Sequence, residues 1–166
     1  MAQVVSSVMV VTAIEDGHPH GTTVSAFSSL SMQPAQVLIA LDQTSRLLGR
    51  IERVGCFGVN ILASDQGELA WAFAGKGDDK FGGVGWDPSS GSARIRGAAG
   101  WVACRVHALL PGGDHVIVVG DILDARSHGR TPLSYQDRTL GVHLPNTAPA
   151  PSPYRGGDAF RGLAWE

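Results

Sequence analysis

Residues 4–31 read VVSSVMVVTAIEDGHPHGTTVSAFSSLS, and this stretch decides the fold class. Val4–Ile14 is crowded with β-branched residues and runs into EDGHPHG, a cluster of Asp, Gly and Pro that predicts a turn. TTVSAFSSLS (Thr22–Ser31) follows, so the two runs are read as a β-hairpin. Six of these last ten residues carry hydroxyls, and Gly17–Leu41 contains no Asp, Glu, Lys or Arg, although such residues make up 17% of the chain. In an extended strand, Val24, Ala26 and Leu30 share a core-facing side, with Thr23, Ser25, Phe27, Ser29 and Ser31 opposite. Hydroxyls both donate and accept, so that ladder suits a flat heteroaromatic ligand or a phosphate. Read alone, it is more often plain solvated strand surface.

Strands dominate the remainder. Gln36–Asp42 (QVLIALD) is an apolar run expected to be buried on both faces, and Cys56–Leu62 (CFGVNIL) is another. Ala98–Leu110 and His115–Ser127 flank PGGD, a second hairpin turn. Two helices interrupt them. Ser45 is placed to cap RLLGRIERV, and Asp65 with Glu68 forms a possible capping box ahead of LAWAFAG, which ends at Gly75. The pattern predicts a mainly β protein, barrel or sandwich, with a few peripheral helices. Residues 1–143 form the domain. Residues 144–166 (LPNTAPAPSPYRGGDAFRGLAWE) lack periodicity and read as a Pro/Gly-rich arm whose Phe160, Leu163 and Trp165 could dock on a partner subunit.

The bulk properties exclude several classes. A chain of 166 residues with 43% apolar content buries a core without staples. A net charge of −2 gives no basic footprint for nucleic acid. Cys56 and Cys104 read as reduced thiols, and the N-terminus shows no leader pattern, so a cytoplasmic protein is expected. His18 and His20 sit in a turn without matching ligands, and no metal site is read there.

Three further pieces carry chemistry. DQTSRLL leaves a strand at Asp42 and enters a helix near Ser45, where backbone N–H groups, Thr44, Ser45 and Arg46 could receive an anion; an ordinary capped helix is the alternative. FAGKGDDKFGG sets Lys80 beside Phe81 in a Gly-rich loop that matches no nucleotide-binding fingerprint. GGDH places His115 where a turn meets a strand, as a possible hydrogen-bond partner or proton donor. No nucleophile elbow, zinc helix or carboxylate pair is present.

In order and spacing these pieces resemble the flavin reductase-like family of FMN-binding split barrels, the reductase partners of two-component flavin monooxygenases. The matching segments are VMVVTAIEDGHPHGTTVSAFSSLSMQPAQVLIALDQTSRLL, FGVNILASDQGELAWAFAGKGDDKF, GWVACRVHALLPGGDHVIVVGDI and TPLSYQD, spanning Val8–Asp137. The resemblance implies a split β-barrel homodimer that reduces FMN or FAD with NADH or NADPH and supplies reduced flavin to a partner monooxygenase. A flavin carrier or repurposed flavin-dependent catalyst of the same fold is the alternative. By the same resemblance, Thr23, Val24, Ser25, Ser28 and Ser29, with Ser31, line the isoalloxazine and ribityl chain. Asp42, Thr44, Ser45 and Arg46 surround the phosphate end, Ala63, Ser64, Lys80 and Phe81 close the site, and His115 seats the nicotinamide. The residues themselves do not choose between FMN and FAD.

Overall fold

The computed structural model describes residues 3–77 and 79–144. Seven strands form one antiparallel sheet: β2 (Met9–Glu15), β3 (His18–Val24), β4 (Phe27–Met32), β5 (Ala35–Asp42), β6 (Cys56–Ile61), β9 (Gly100–Gly112) and β10 (His115–Ser127). Their order is β3-β2-β6-β9-β10-β5-β4. Outside it lie β1 (Ser6–Ser7), which pairs with β11 (Leu133–Gln136) beside β12 (Thr139–Val142), and a separate hairpin of β7 (Trp86–Ser89) and β8 (Ser92–Ile95). Two helices, α1 (Arg46–Val54) and α2 (Gly67–Ala74), complete the described chain. The mainly β expectation therefore holds.

Local chemistry explains the turns. Asp16 and Gly17 link β2 to β3 with φ of 51° and 78°, the double positive φ of a primed two-residue hairpin. Between β9 and β10 the two-residue turn has positive φ at its first position alone, Gly113 (76°), the other primed type. The long β9–β10 pair shifts register twice, at Val119/Gly120 and Ile122/Asp124, and such bulges bend a strand enough to wrap a core. Gly120 is obligatory at the first bend, because a Cβ there would lie 2.5 Å from Phe57 Cζ.

The sheet curls around one core. Val11 and Val24 from one side, Val37 and Ile39 from the other, and Leu47, Leu48 and Ile51 of α1 belong to the same buried cluster. Phe27 of β4 packs against it. The two sheet edges, β3 and β4, thus meet around a shared interior, yet no ladder joins them. The barrel is split at that seam.

The seam corrects the reading of Thr22–Ser31 as one strand. Residues 25 and 26 lie between β3 and β4, and the chain crosses there from one sheet edge to the other. The alternation changes phase at the crossing: Val24 is buried as expected, but Phe27 packs inward and Leu30 is 48% exposed. The expected single ladder of hydroxyls does not form. Gln36–Asp42 is likewise corrected. Val37, Ile39 and Leu41 are buried, while Leu38 and Ala40 are only half-buried, so one face alone belongs to the core.

Both caps differ from expectation. Ser45 occupies the N-cap of α1, but its hydroxyl makes no capping bond; Gly55 closes the helix with φ of 71°. Asp65 and Glu68 form no capping box, because Gln66 is the N-cap and Asp65 pairs with Arg130 at 2.5 Å. The helix does end at Gly75. A buried side chain ties the layers together: Asn60 Nδ2 donates to Val10 O (3.2 Å) and Ala93 O (3.0 Å), while its Oδ1 accepts from Ile95 N (2.7 Å). The arm proposed for 144–166 lies outside the described residues beyond Leu144.

Candidate functional site

A cleft of about 400 Å³ opens between the β2–β3 hairpin, the start of α1 and the loop after α2. Its α1 side is built by the turn that leaves β5. Asp42 Oδ1 accepts from Thr44 N (2.7 Å) and Thr44 Oγ1 (2.6 Å), and Ser45 N donates to Asp42 O at 2.9 Å. This short-range turn aims the first backbone N–H groups of α1, whose first turn carries no acidic residue. Asp42 is consequently occupied: the Thr44 bonds hold its carboxyl below the ordinary carboxylate range. Thr44, Ser45 and Arg46 all line the cleft.

The opposite wall depends on the C-terminal end of α2. Lys80 Nζ donates to Phe73 O at 2.7 Å and approaches Gly21 O at 3.4 Å. The Phe81 ring meets Phe73 edge-on, with centroids 4.9 Å apart and planes at 84°. Gly21 permits this close packing, since a Cβ there would sit 2.9 Å from Phe73 Cε1. Lys80 and Phe81 therefore reach the same cleft as Arg46 despite a separation of more than thirty residues. Burial lowers the Lys80 pKa first, and Arg46 lowers it further.

The described lining contains Arg46, Arg50, Lys76 and Lys80 but no carboxylate. Cations gathered beside an uncapped helix start, with the Thr22, Thr44 and Ser45 hydroxyls, suit a phosphate ester. Arg50 and Lys76 were not singled out from sequence, and His20 was weighed there only as a metal ligand. Arg50 stands one turn after Arg46, and that spacing was the available signal.

The other expected residues fall elsewhere. Thr23, Val24 and Ser25 border a second groove of about 190 Å³ against α2 and Tyr135. Thr23 Oγ1 donates there to Ala70 O at 2.6 Å, and Trp71 stands edge-on to Tyr135 with centroids 6.4 Å apart. Ser28 and Ser29 are exposed on the edge strand β4, and Ser31 is half-buried there; Ser28 Oγ donates to Ser29 O at 2.9 Å. Ala63 is buried and bridges to Pro132, while Ser64 N donates to Thr131 O, so neither borders the cavities. His115 lies across from Asp42 in the β5–β10 ladder, its Nδ1 2.7 Å from Asp114 Oδ1. It flanks the α1 turn without lining either cavity of one chain.

The family model for the flavin reductase-like domain matches residues 1–142. The chain belongs to the flavin reductase-like family. Within it, the chain is 38% identical over 140 residues to the reductase component of a 4-nitrophenol 4-monooxygenase/4-nitrocatechol 2-monooxygenase from Rhodococcus opacus, covering 84% of this chain and 76% of that one. Nitrilotriacetate monooxygenase component B from Mycobacterium thermoresistibile superposes with a TM-score of 0.86 at 32% identity, over 93% of this chain and 88% of that one. A Streptomyces globisporus NADH:FAD oxidoreductase, solved with NAD and FAD fragments, gives a TM-score of 0.84 at 29% identity, over 89% and 90% of the two chains. The split barrel is thus a flavin reductase fold. Among the described residues, no helix is long and apolar enough to cross a membrane.

Proposed function

We propose that this flavin reductase-like protein oxidises NADH or NADPH to reduce FMN or FAD, and that the reduced flavin serves a partner monooxygenase. The cationic cleft at the start of α1, whose described lining holds no carboxylate, carries this reading. Thr44, Ser45, Arg46 and Lys80 would hold the flavin phosphate. Thr23, Val24 and Ser25, on the strand that leaves the cleft, would border the ring system. When bound, the flavin supplies the hydride-accepting chemistry, which explains why no acid–base pair is needed beside it. Lys80 binds and orients, its charge held toward the cleft by two carbonyl oxygens.

His115 would seat the nicotinamide. Its Nδ1 is engaged with Asp114, leaving the other ring nitrogen to contact a ligand. The relatives named as reductase components support the monooxygenase partner. We further read the protein as a cytoplasmic homodimer in which Cys56 and Cys104 stay as free thiols. On the sheet face away from the core, Ala40, Ile117 and Leu110 form one cross-strand row, and Leu38, Val119 and Ala108 form the next. Leu110 is 48% exposed, and burying this face against a second copy would bring His115 and Ser28 toward the partner.

The test follows NADH absorbance with purified protein and added FMN or FAD. Flavin-dependent NADH loss is expected. Flavin binding without NADH loss would remove the reductase reading, and binding of neither flavin would remove both.

A further inference from the structure

The cations of the cleft are spread over more length than a single phosphate spans. A terminal phosphate carries roughly two negative charges at neutral pH. Arg46 and Lys80, which act on each other electrostatically at the α1 start, match it. Arg50 stands one helical turn beyond Arg46, about 6 Å along the axis. It lines the same cleft, and its Nε lies 3.2 Å from Glu15 Oε2. Glu15 is shared, because Arg53 holds both of its oxygens at 2.5 and 3.1 Å. Arg53 is the closer partner of Glu15, and of these three side chains only Arg50 lines the cleft.

His20 and Pro19 border this Arg50 side from the hairpin. Burial and the nearby Arg50 hold the His20 pKa below its ordinary 6.5, so at neutral pH the ring is a flat, uncharged surface. A neutral ring beside a cleft-lining arginine suits a nucleoside monophosphate: phosphate on the guanidinium, purine against the imidazole and Pro19.

We propose that the Arg50–His20 end of the cleft takes the adenosine monophosphate half of FAD, making this chain select FAD over FMN. The inference rests on the flavin reading above. The same adenylate chemistry is present in NADH, and binding measurements without nicotinamide separate the two sources.

The experiment titrates full-length protein, without NADH, with FMN and with FAD, following flavin fluorescence. The native protein binds FAD roughly tenfold or more tightly than FMN, the scale of one charge-assisted contact. Arg50→Ala and His20→Ala each raise the FAD Kd by several-fold to tenfold, and the FMN Kd by less than about twofold. The FMN titration also reports whether each variant has folded; for a misfolded Arg50→Ala, Arg50→Gln takes its place. Equal native affinities, equal weakening of both flavins, or a change confined to the NADH KM would overturn the assignment. Failure to bind either flavin would instead overturn the flavin reading beneath it.

Discussion

His115 and Asp42 stand directly opposite each other in the β5–β10 ladder, one at the start of its strand and the other at the end. Gln43 reinforces the junction, its N–H bonding to Asp114 O at 3.1 Å and its Nε2 to Gly113 O at 2.8 Å. The proposed nicotinamide residue and the turn that starts α1 are therefore parts of one rigid corner. His115→Ala is expected to raise the NADH KM about tenfold while leaving the flavin Kd within about twofold, since one hydrogen bond is removed from one ligand. Steady-state kinetics at saturating flavin, with a parallel flavin titration, checks this. A matching loss of flavin affinity would make His115 a structural residue.

The same corner has an acid limit. Two bonds from Thr44 hold the Asp42 pKa below its ordinary 3.8. A carboxyl depressed in the folded state stabilises fully above its unfolded value, and the contribution is lost as pH falls through the folded value. Flavin affinity is thus expected to be insensitive to this group at neutral pH and to fall only below pH 3.8, as Asp42 takes up its proton. Asp42→Asn should weaken the phosphate site at every pH. An Asp42→Asn protein with native affinity would disprove the role of the turn.

Lys80 gives the opposite limit. Its folded pKa is lowered from 10.5 by burial, so the cost of holding the cation is present at neutral pH. That cost is relieved as pH rises through the lowered value, because the unfolded chain then binds more protons than the folded one. The phosphate site loses its cation in the same window. The flavin Kd is expected to rise before pH 10.5 is reached, and Lys80→Met should abolish this alkaline slope while weakening binding about tenfold at neutral pH. Fluorescence titrations across pH would show a persisting slope in Lys80→Met if another group were responsible.

Asn60 is the main polar stake in the core. Its side chain satisfies two carbonyls and one N–H drawn from β2 and β8. Asn60→Ala would take the acceptor from Ile95 N and a donor from Val10 O, leave Ala93 O its bond from Thr12 Oγ1 (2.8 Å), and open a small void, at roughly 2–4 kcal/mol of stability. Urea unfolding monitored by tryptophan fluorescence measures it, and a loss under about 1 kcal/mol would mean water replaces the amide.

The proposed dimer face can be tested separately. Leu110→Glu places a charge at the exposed end of a cross-strand row and is expected to yield a folded monomer, seen by sedimentation, with native-like circular dichroism. A Leu110→Glu protein that remains dimeric would place the interface elsewhere.

The strand-rich class, both hairpins and both helices were legible in sequence because each rests on local chemistry. Asp16–Gly17 and Gly113 demand positive φ, and Leu47, Leu48 and Ile51 share one helical face. What was not legible depends on the third dimension. The crossing at residues 25–26 has no Gly or Pro to mark it, so Thr22–Ser31 read as one strand. The β11–β12 hairpin was missed because Asp137 and Arg138 take positive φ where Gly or Asn would have signalled a turn, and β7–β8 because its four-residue strands are too short to show alternation, although Gly91 marks its turn with φ of 74°. Thr44, Ser45, Arg46, Lys80 and Phe81 were anticipated, and the structure gathers them. Arg50 was overlooked although it stands one helical turn after Arg46, and His20 because only the folded hairpin brings it beside Arg46.

The crossing at Ser25 and Ala26 has a topological consequence. β3 and β4 are the two margins of the sheet, and this peptide is the covalent tie between them. A circularly permuted chain with new termini between residues 25 and 26 would keep every strand pairing of the native ladder. It would nevertheless release the tie, letting the margins part at no cost in ladder hydrogen bonds. The seam therefore runs beside Val24 and Ser25, the residues proposed above to border the flavin ring system.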